Sequence, residues 1–163
     1  MNDSQKLKKH VHVIHSYSKF SLVQRKLVNA LLFNAYSDLA TKTRFTIKTK
    51  DLCLLMGYHS RDICKLRLAL EGLMSTIIRW NIIDGNNVDK DDITSSGMLA
   101  SQNIKNGICT YSYSDHLKEL LYKPDIYAYV DMDIMKRFKS SYGLALYENC
   151  IRFQKIKQTS WFS

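Results

Sequence analysis

Between residues 45 and 83 the hydrophobic period switches twice. The stretch reads FTIKTKDLCLLMGYHSRDICKLRLALEGLMSTIIRWNII. Phe45-Thr46-Ile47 alternates and is of strand type. Thr49 stands where it can cap a short helix over residues 50–56. Gly57 ends that helix, because glycine adopts left-handed geometry without a Cβ penalty. Ser60 is placed to cap a second, longer helix. On it Ile63, Leu66, Leu70, Leu73 and Met74 share one face, while Arg61, Lys65 and Gly72 lie opposite. From residue 77 the period returns to two, with Ile78, Trp80 and Ile82 on one side and Ile77, Arg79 and Asn81 on the other. The turn residues Asp84-Gly85-Asn86-Asn87 follow.

The remaining elements flank this stretch. A capping box, Ser21 with Gln24, opens a helix running to about residue 37, apolar on nearly every side at 27–33 except for Asn29. Residues 96–101 form a weak strand and Ile108 to Tyr113 a strong one, joined by a turn at 103–107 into a hairpin. Ser114 caps a helix over 115–121, and Pro124, the only proline, breaks it. A strand over 126–130, a helical turn near 132–138 and a helix from Ser141 to about residue 157 complete the chain. That last helix has Leu146, Tyr147, Cys150, Ile151 and Phe153 on its apolar side. Trp80, Leu70, Leu73, Leu31 and Leu146 are the expected core. The order strand, short helix, turn, longer helix, strand, turn is that of a winged helix-turn-helix. The predicted class is α+β: a winged helix-turn-helix with an antiparallel hairpin or small sheet and a long C-terminal helix.

A chain of 163 residues, 45% apolar, suits one domain with a sizeable core. Its lysine-rich start lacks the apolar run of a signal peptide, and no stretch reaches the ~18 apolar residues of a membrane span, so a cytoplasmic protein is expected. Cys53, Cys64, Cys109 and Cys150 form no metal-like spacing and read as ordinary buried thiols. The net charge of +9 is uneven: residues 1–60 hold ten Lys and Arg against three Asp and Glu, whereas residues 83–135 hold four against nine. A basic chain with an acidic middle fits a polyanion approached from one side.

Four blocks resemble one family: SLVQRKLVNALLFNAY, FTIKTKDLCLLMGYHSRD, ALEGLMSTIIRWNII and FKSSYGLALYENCIRF. In this order they resemble the N-terminal winged-helix domain of the iteron-binding plasmid replication initiator (Rep) proteins. The resemblance implies a domain that dimerises and adds contacts to the DNA backbone, followed by a second winged domain that reads bases. It implies duplex DNA at origin iterons or an operator, a second copy of the chain, and host replication proteins as partners. The expected layout is a flexible basic arm over 1–10, the winged domain over 11–157, and the start of a linker over 158–163.

On the motif itself, Ser60 heads the second helix, where amides favour a phosphate. Lys48, Lys50, Arg61, Lys65 and Arg79 are the expected phosphate contacts. The hairpin of residues 96–113 is expected at a sheet edge, so Met98, Leu99, Ile108, Cys109, Tyr111 and Tyr113 are the candidate dimer surface. Two other readings stand beside this one. The first is an interaction or dimerisation module, or a transcriptional regulator, with little DNA affinity. The second is a metal-dependent rolling-circle nickase using the triplet His10-Val11-His12 and a tyrosine, Tyr17 or Tyr36. Catalysis, a resident metal and any cofactor are not expected, since the triplet lacks a neighbouring carboxylate and no glycine-rich phosphate loop exists. The tyrosines at 111, 113, 122, 127 and 129 either pack across strands or offer a base-stacking platform.

Overall fold

The computed structural model describes residues 5–10, 20–59, 62–80, 94–122 and 127–153. Their elements run β1 (Lys6–His10), α1 (Leu22–Ala35), β2 (Phe45–Lys48), α2 (Thr49–Met56), α3 (Ile63–Ser75), β3 (Ile77–Trp80), β4 (Thr94–Gly97), β5 (Ser101–Lys105), β6 (Ile108–Ser112), α4 (Asp115–Leu121), β7 (Tyr127–Asp131), α5 (Met132–Arg137) and α6 (Ser141–Phe153). The strands make three small antiparallel groups: β1 with β7, β2-β6-β5, and β3 with β4. The class is therefore the predicted α+β.

Helix α1 is the hub. Leu27, Val28, Ala30, Leu31 and Leu32 are all buried, which explains why its centre carries almost no polar residue. Its capping box is formed, with Ser21 Oγ accepting from Gln24 N–H and Gln24 Oε1 from Ser21 N–H. The helix-turn-helix packs on it through Leu52, Met56, Leu66, Leu70 and Leu73; of the five residues expected on the apolar face of the second helix, Leu66, Leu70 and Leu73 are buried, while Ile63 and Met74, at the edges of that stripe, are exposed. Gly57 ends α2 at φ 63°, and a Cβ there would lie 2.9 Å from the Lys136 carbonyl oxygen. Both the turn geometry and the approach of α5 therefore require glycine. Thr49 does not cap α2. Its N–H and hydroxyl both donate to the Gly107 carbonyl, tying the helix start to the β5–β6 turn.

Asn29 interrupts α1 for a reason that lies far away in sequence. Lys9 Nζ donates to Asn29 Oδ1 at 2.8 Å and to Glu148 Oε1 at 3.0 Å, and Asn29 Nδ2 donates to the same Glu148 oxygen at 2.7 Å. All three are buried, and Arg25 Nη1 stands 3.9 Å from Glu148 Oε2. The network joins β1, α1 and α6. Nearby, buried Lys26 donates to the Lys136 carbonyl at 2.6 Å, at the end of α5, and desolvation lowers its pKa.

Several expectations are corrected. Residues 6–10, expected in a flexible arm, form β1, because alternation buries Leu7 and Lys9 against the core. Residues 11–14, whose pattern fits a short strand or an extended arm, lie outside the described residues. The second helix starts at Ile63, capped by Asp62 rather than Ser60. Leu146 is 65% exposed: the inward phase of α6 is Leu144, Tyr147, Glu148 and Ile151, so a charged residue holds a core position that hydropathy assigns outward. Cys64 and Cys150 are exposed rather than buried. The side chain of Trp80 lies outside the described residues. Residues 94–97 pair with β3, in the place of a wing, and only 101–105 pair with β6. The hairpin turns on Asn106 and Gly107, both at positive φ, so its loop is two residues long.

Two measurements check this packing. Glu148→Ala leaves a buried lysine uncompensated and should cost about 3–5 kcal/mol in urea unfolding. In a double-mutant cycle, the loss from Glu148→Ala with Lys9→Met should fall clearly below the sum of the single losses. Leu70→Ala should cost about 2–5 kcal/mol. Near-neutral values would refute the buried network and the helix phase.

Candidate nucleic-acid interface

The helix-turn-helix is held from behind by α1 and α5, which leaves α2 and α3 with one outward side each. Buried Leu66, Leu70 and Leu73 fix the rotation of α3. At 100° per residue, Lys65 and Arg67 then stand on the two flanks of its outer face, and Leu68 and Glu71 lie between them. Leu68 is 66% exposed. Lys65 Nζ is 3.6 Å from the Asp62 carboxylate, an exposed pair of small energetic weight. Asp62 Oδ1 also accepts from Lys65 N–H, so a carboxylate already occupies the amide at the helix start. The helix end expected to favour a phosphate therefore already carries an anion of its own. Ser60 and Arg61 themselves lie outside the described residues.

Lys48 and Lys50 are exposed on either side of the first turn of α2. Lys50 lines a shallow groove with Thr49, Tyr58, His59 and Ile63. Lys48 lines a neighbouring one with Asp51, Leu54 and Ile108. Arg79 is exposed on β3, across from Ser95 on β4. Of the expected phosphate contacts, Lys48, Lys50, Lys65 and Arg79 are thus at the surface. Arg67 is the residue the sequence reading missed. Its signal was its place one residue beyond Leu66, on the flank opposite Lys65.

The candidate dimer surface fares differently. Strand β6 is the centre of its sheet, not an edge. Met98, Leu99, Cys109, Tyr111 and Tyr113 are buried in the chain's own core, and only Ile108, at 45%, is exposed. Phe45, Tyr111 and Tyr113 pack as a ring cluster with centroids 5.6–5.9 Å apart. Tyr111 Oη donates to the Leu31 carbonyl at 2.6 Å and accepts from Asn34 Nδ2 at 2.9 Å, while burial pushes its pKa up. These side chains are corrected from interface to core, because the strand's Cys-Tyr-Tyr face is the one turned inward. Burial likewise raises the Cys109 thiol to about 11.

The triplet of the nickase reading is only partly described. His10 ends β1, and His12 and Tyr17 lie outside the described residues. Among the described residues, no three His, Cys, Asp or Glu side chains come together as a metal site. No described helix is long and apolar enough to cross a membrane.

The family model described as "Initiator Replication protein, WH1" matches residues 6–151. The chain belongs to the initiator replication protein family. What it matches is that family's first winged-helix domain, in agreement with the two-helix motif and its β3–β4 ribbon. No curated protein matches the chain. The match begins at β1, so the strand that the sequence reading took for an arm lies within the initiator domain.

Within this initiator domain the two buried tyrosines should behave oppositely. Tyr113 Oη is buried without a hydrogen-bond partner among the described residues. Tyr113→Phe should leave stability unchanged or raise it slightly, whereas Tyr111→Phe should cost about 1 kcal/mol by removing its hydrogen bonds to the Leu31 carbonyl and Asn34 Nδ2. In alkylation of the native protein, Cys64 and Cys150 should react and Cys109 should not, since a buried protonated thiol is a poor nucleophile. Peptide mapping after a brief iodoacetamide pulse checks this.

Proposed function

We propose that the chain acts in plasmid replication initiation as a non-catalytic DNA-binding domain in the cytoplasm. It would hold duplex DNA, at origin iterons or an operator, mainly through backbone phosphates. The observation that carries this reading is the arrangement of Lys50, Lys65, Arg67 and Arg79 around the outer side of a winged helix-turn-helix in an initiator family member. The centre of the α3 face is Leu68 and Glu71, with the cations on its flanks. That distribution suits phosphate contact more than base reading, because base specificity rests on donors and acceptors aimed into a groove.

Dimerisation belongs to the same proposal, through a different surface from the buried tyrosines. The outer edge of β5 has no neighbouring strand among the described residues. An unpaired edge invites the same edge of a second copy, and two-fold symmetry permits that pairing. Host replication proteins remain further proposed partners.

The salt dependence of binding tests the DNA reading. With a fluorescein-labelled mixed-sequence duplex, the slope of log K against log salt should shrink by about 1 for each phosphate no longer neutralised. Lys50→Ala, Arg67→Ala and Arg79→Ala are the informative variants. Unchanged slopes in folded variants would refute the interface, and a wild type with no salt-sensitive affinity would favour the pure interaction module. For dimerisation, Asn103→Lys on β5 should shift sedimentation towards monomer. A wild type that is monomeric at every concentration would defeat that part alone.

A further inference from the structure

Helix α2 carries an exposed aliphatic row across two joined grooves. Leu54 is 70% exposed, Ile108 45% and Ile63 39%. Leu54 and Ile108 line one groove with Lys48 and Asp51, and Leu54 and Ile63 line the next with Lys50 and Asp51. Leu54 and Asp51 thus form the ridge that the two grooves share. Cations surround the row. The sheet register sets Ile108 between Lys48 on β2 and Lys105 on β5, so two lysines bracket an aliphatic side chain. Lys48, Lys50 and Lys105 are all exposed, and among the described residues none of them is paired with a carboxylate. Asp51 is the acidic group between them, placed in the first turn of α2 where the helix dipole favours a carboxylate.

The surface is formed before any partner arrives. Thr49 N–H and Oγ1 donate to the Gly107 carbonyl at 2.8 and 3.1 Å, which ties the β5–β6 turn, and with it Lys105 and Ile108, to the start of α2. Anchors held in place in this way lose little freedom on binding. The groups present define the kind of partner. Exposed aliphatic side chains at a groove gain by burial against other apolar groups, about 25 cal/mol per Å². Duplex phosphates offer them nothing, since protein–DNA interfaces are polar and charged. Lysines around an apolar centre steer a partner with carboxylates at its rim and repel a basic one. An added β-strand is disfavoured, because the Thr46 carbonyl, on the strand beside the groove, already accepts from Asn34 Nδ2 at 3.2 Å. A helix lying on its apolar face needs no such backbone group.

We propose that the paired grooves over α2 are a docking site for an acidic amphipathic helix of a partner protein. Its apolar face would lie on Leu54, Ile63 and Ile108, and its carboxylates would meet Lys48 and Lys105. Asp51 sets the register, because a carboxylate of the partner placed over it is repelled while one placed over either lysine is attracted. Lys65, Arg67 and Arg79 take no part. Lys50 stands on the border with the proposed duplex face, so a docked helix and a duplex meet at that one residue. This goes beyond the duplex reading above, since it uses another surface and a protein ligand.

The test uses the full chain and a fluorescein-labelled synthetic helix of about five turns, with leucines at i, i+4, i+7 and i+11 and glutamates beside them. Two control peptides replace the glutamates by lysine or the leucines by alanine, and a mixed-sequence duplex is titrated in parallel. Leu54→Ser should weaken peptide binding about tenfold, the scale of losing one anchor, and leave duplex binding unchanged. Lys105→Glu should weaken it at low salt, with the difference fading as salt screens the rim. Arg67→Ala, which tests the duplex reading, should leave peptide binding as it is. Methyl NMR of the wild type gives a readout independent of variants, and the Leu54, Ile63 and Ile108 signals should move first on titration. Unchanged peptide affinity in folded Leu54→Ser would overturn the proposal, as would equal binding of either control peptide. Equal loss of duplex and peptide binding in Leu54→Ser would also overturn it, by assigning the face to DNA.

Discussion

The buried carboxylate of Glu148 holds together segments that sequence places at opposite ends. It accepts from Lys9 on β1 and Asn29 on α1, and it comes from α6. Without it a lysine would sit in the core with only an amide as partner, which is costly in a low-dielectric interior. With it, α1 keeps a single fixed rotation, and everything that packs on α1 inherits that rotation. Helices α2 and α3 also dock on α1, so the orientation of α3 is coupled to the N-terminal strand and the C-terminal helix. A purely apolar contact would tolerate sliding along α1. A three-way hydrogen-bonded network tolerates little, because each displacement leaves a buried donor or acceptor unmet.

The same network accounts for what the sequence could and could not tell. Elements with strong local signals were legible: the Ser21–Gln24 box, the Gly57 stop, the Ser114 cap and the Leu66-Leu70-Leu73 stripe all match their structural roles. Each depends on residues within one turn of one another. Long-range pairing was not legible. Lys9 reads as part of a solvated basic tail until its partner is known, and that partner is 139 residues away. Glu148 misled in the same way: hydropathy turned α6 so that Leu146 and Cys150 faced inward, whereas the ion pair turns it so that Glu148 does. On β6 the alternation was right and its meaning was not. The face of Cys109, Tyr111 and Tyr113 was recognised as one needing a partner, but the partner is the chain's own Phe45 and Leu31 rather than a second copy.

The candidate site was legible to a different degree. Composition and spacing located the exposed cations Lys48, Lys50, Lys65 and Arg79, since charged residues opposite an apolar stripe are surface residues almost by necessity. The helix start was misjudged because two capping residues, Ser60 and Asp62, stand two positions apart, and local pattern does not rank them. Asp62 prevails with a carboxylate that both caps the amide and pairs with Lys65, and this reverses the electrostatic preference of that helix end.

Charge is therefore sorted by depth as well as by position along the chain. Lys9 and Lys26 are spent inside: one on Glu148, the other on the carbonyl that ends α5. Beside the Glu148 carboxylate, Lys9 counts in the formal +9 but adds little to the field a polyanion meets at the surface. Among the cations that remain outside, Lys65 and Arg67 are carried by α3. There they flank an aliphatic and acidic centre, Leu68 and Glu71, which suits the proposed grip on duplex phosphates better than base reading.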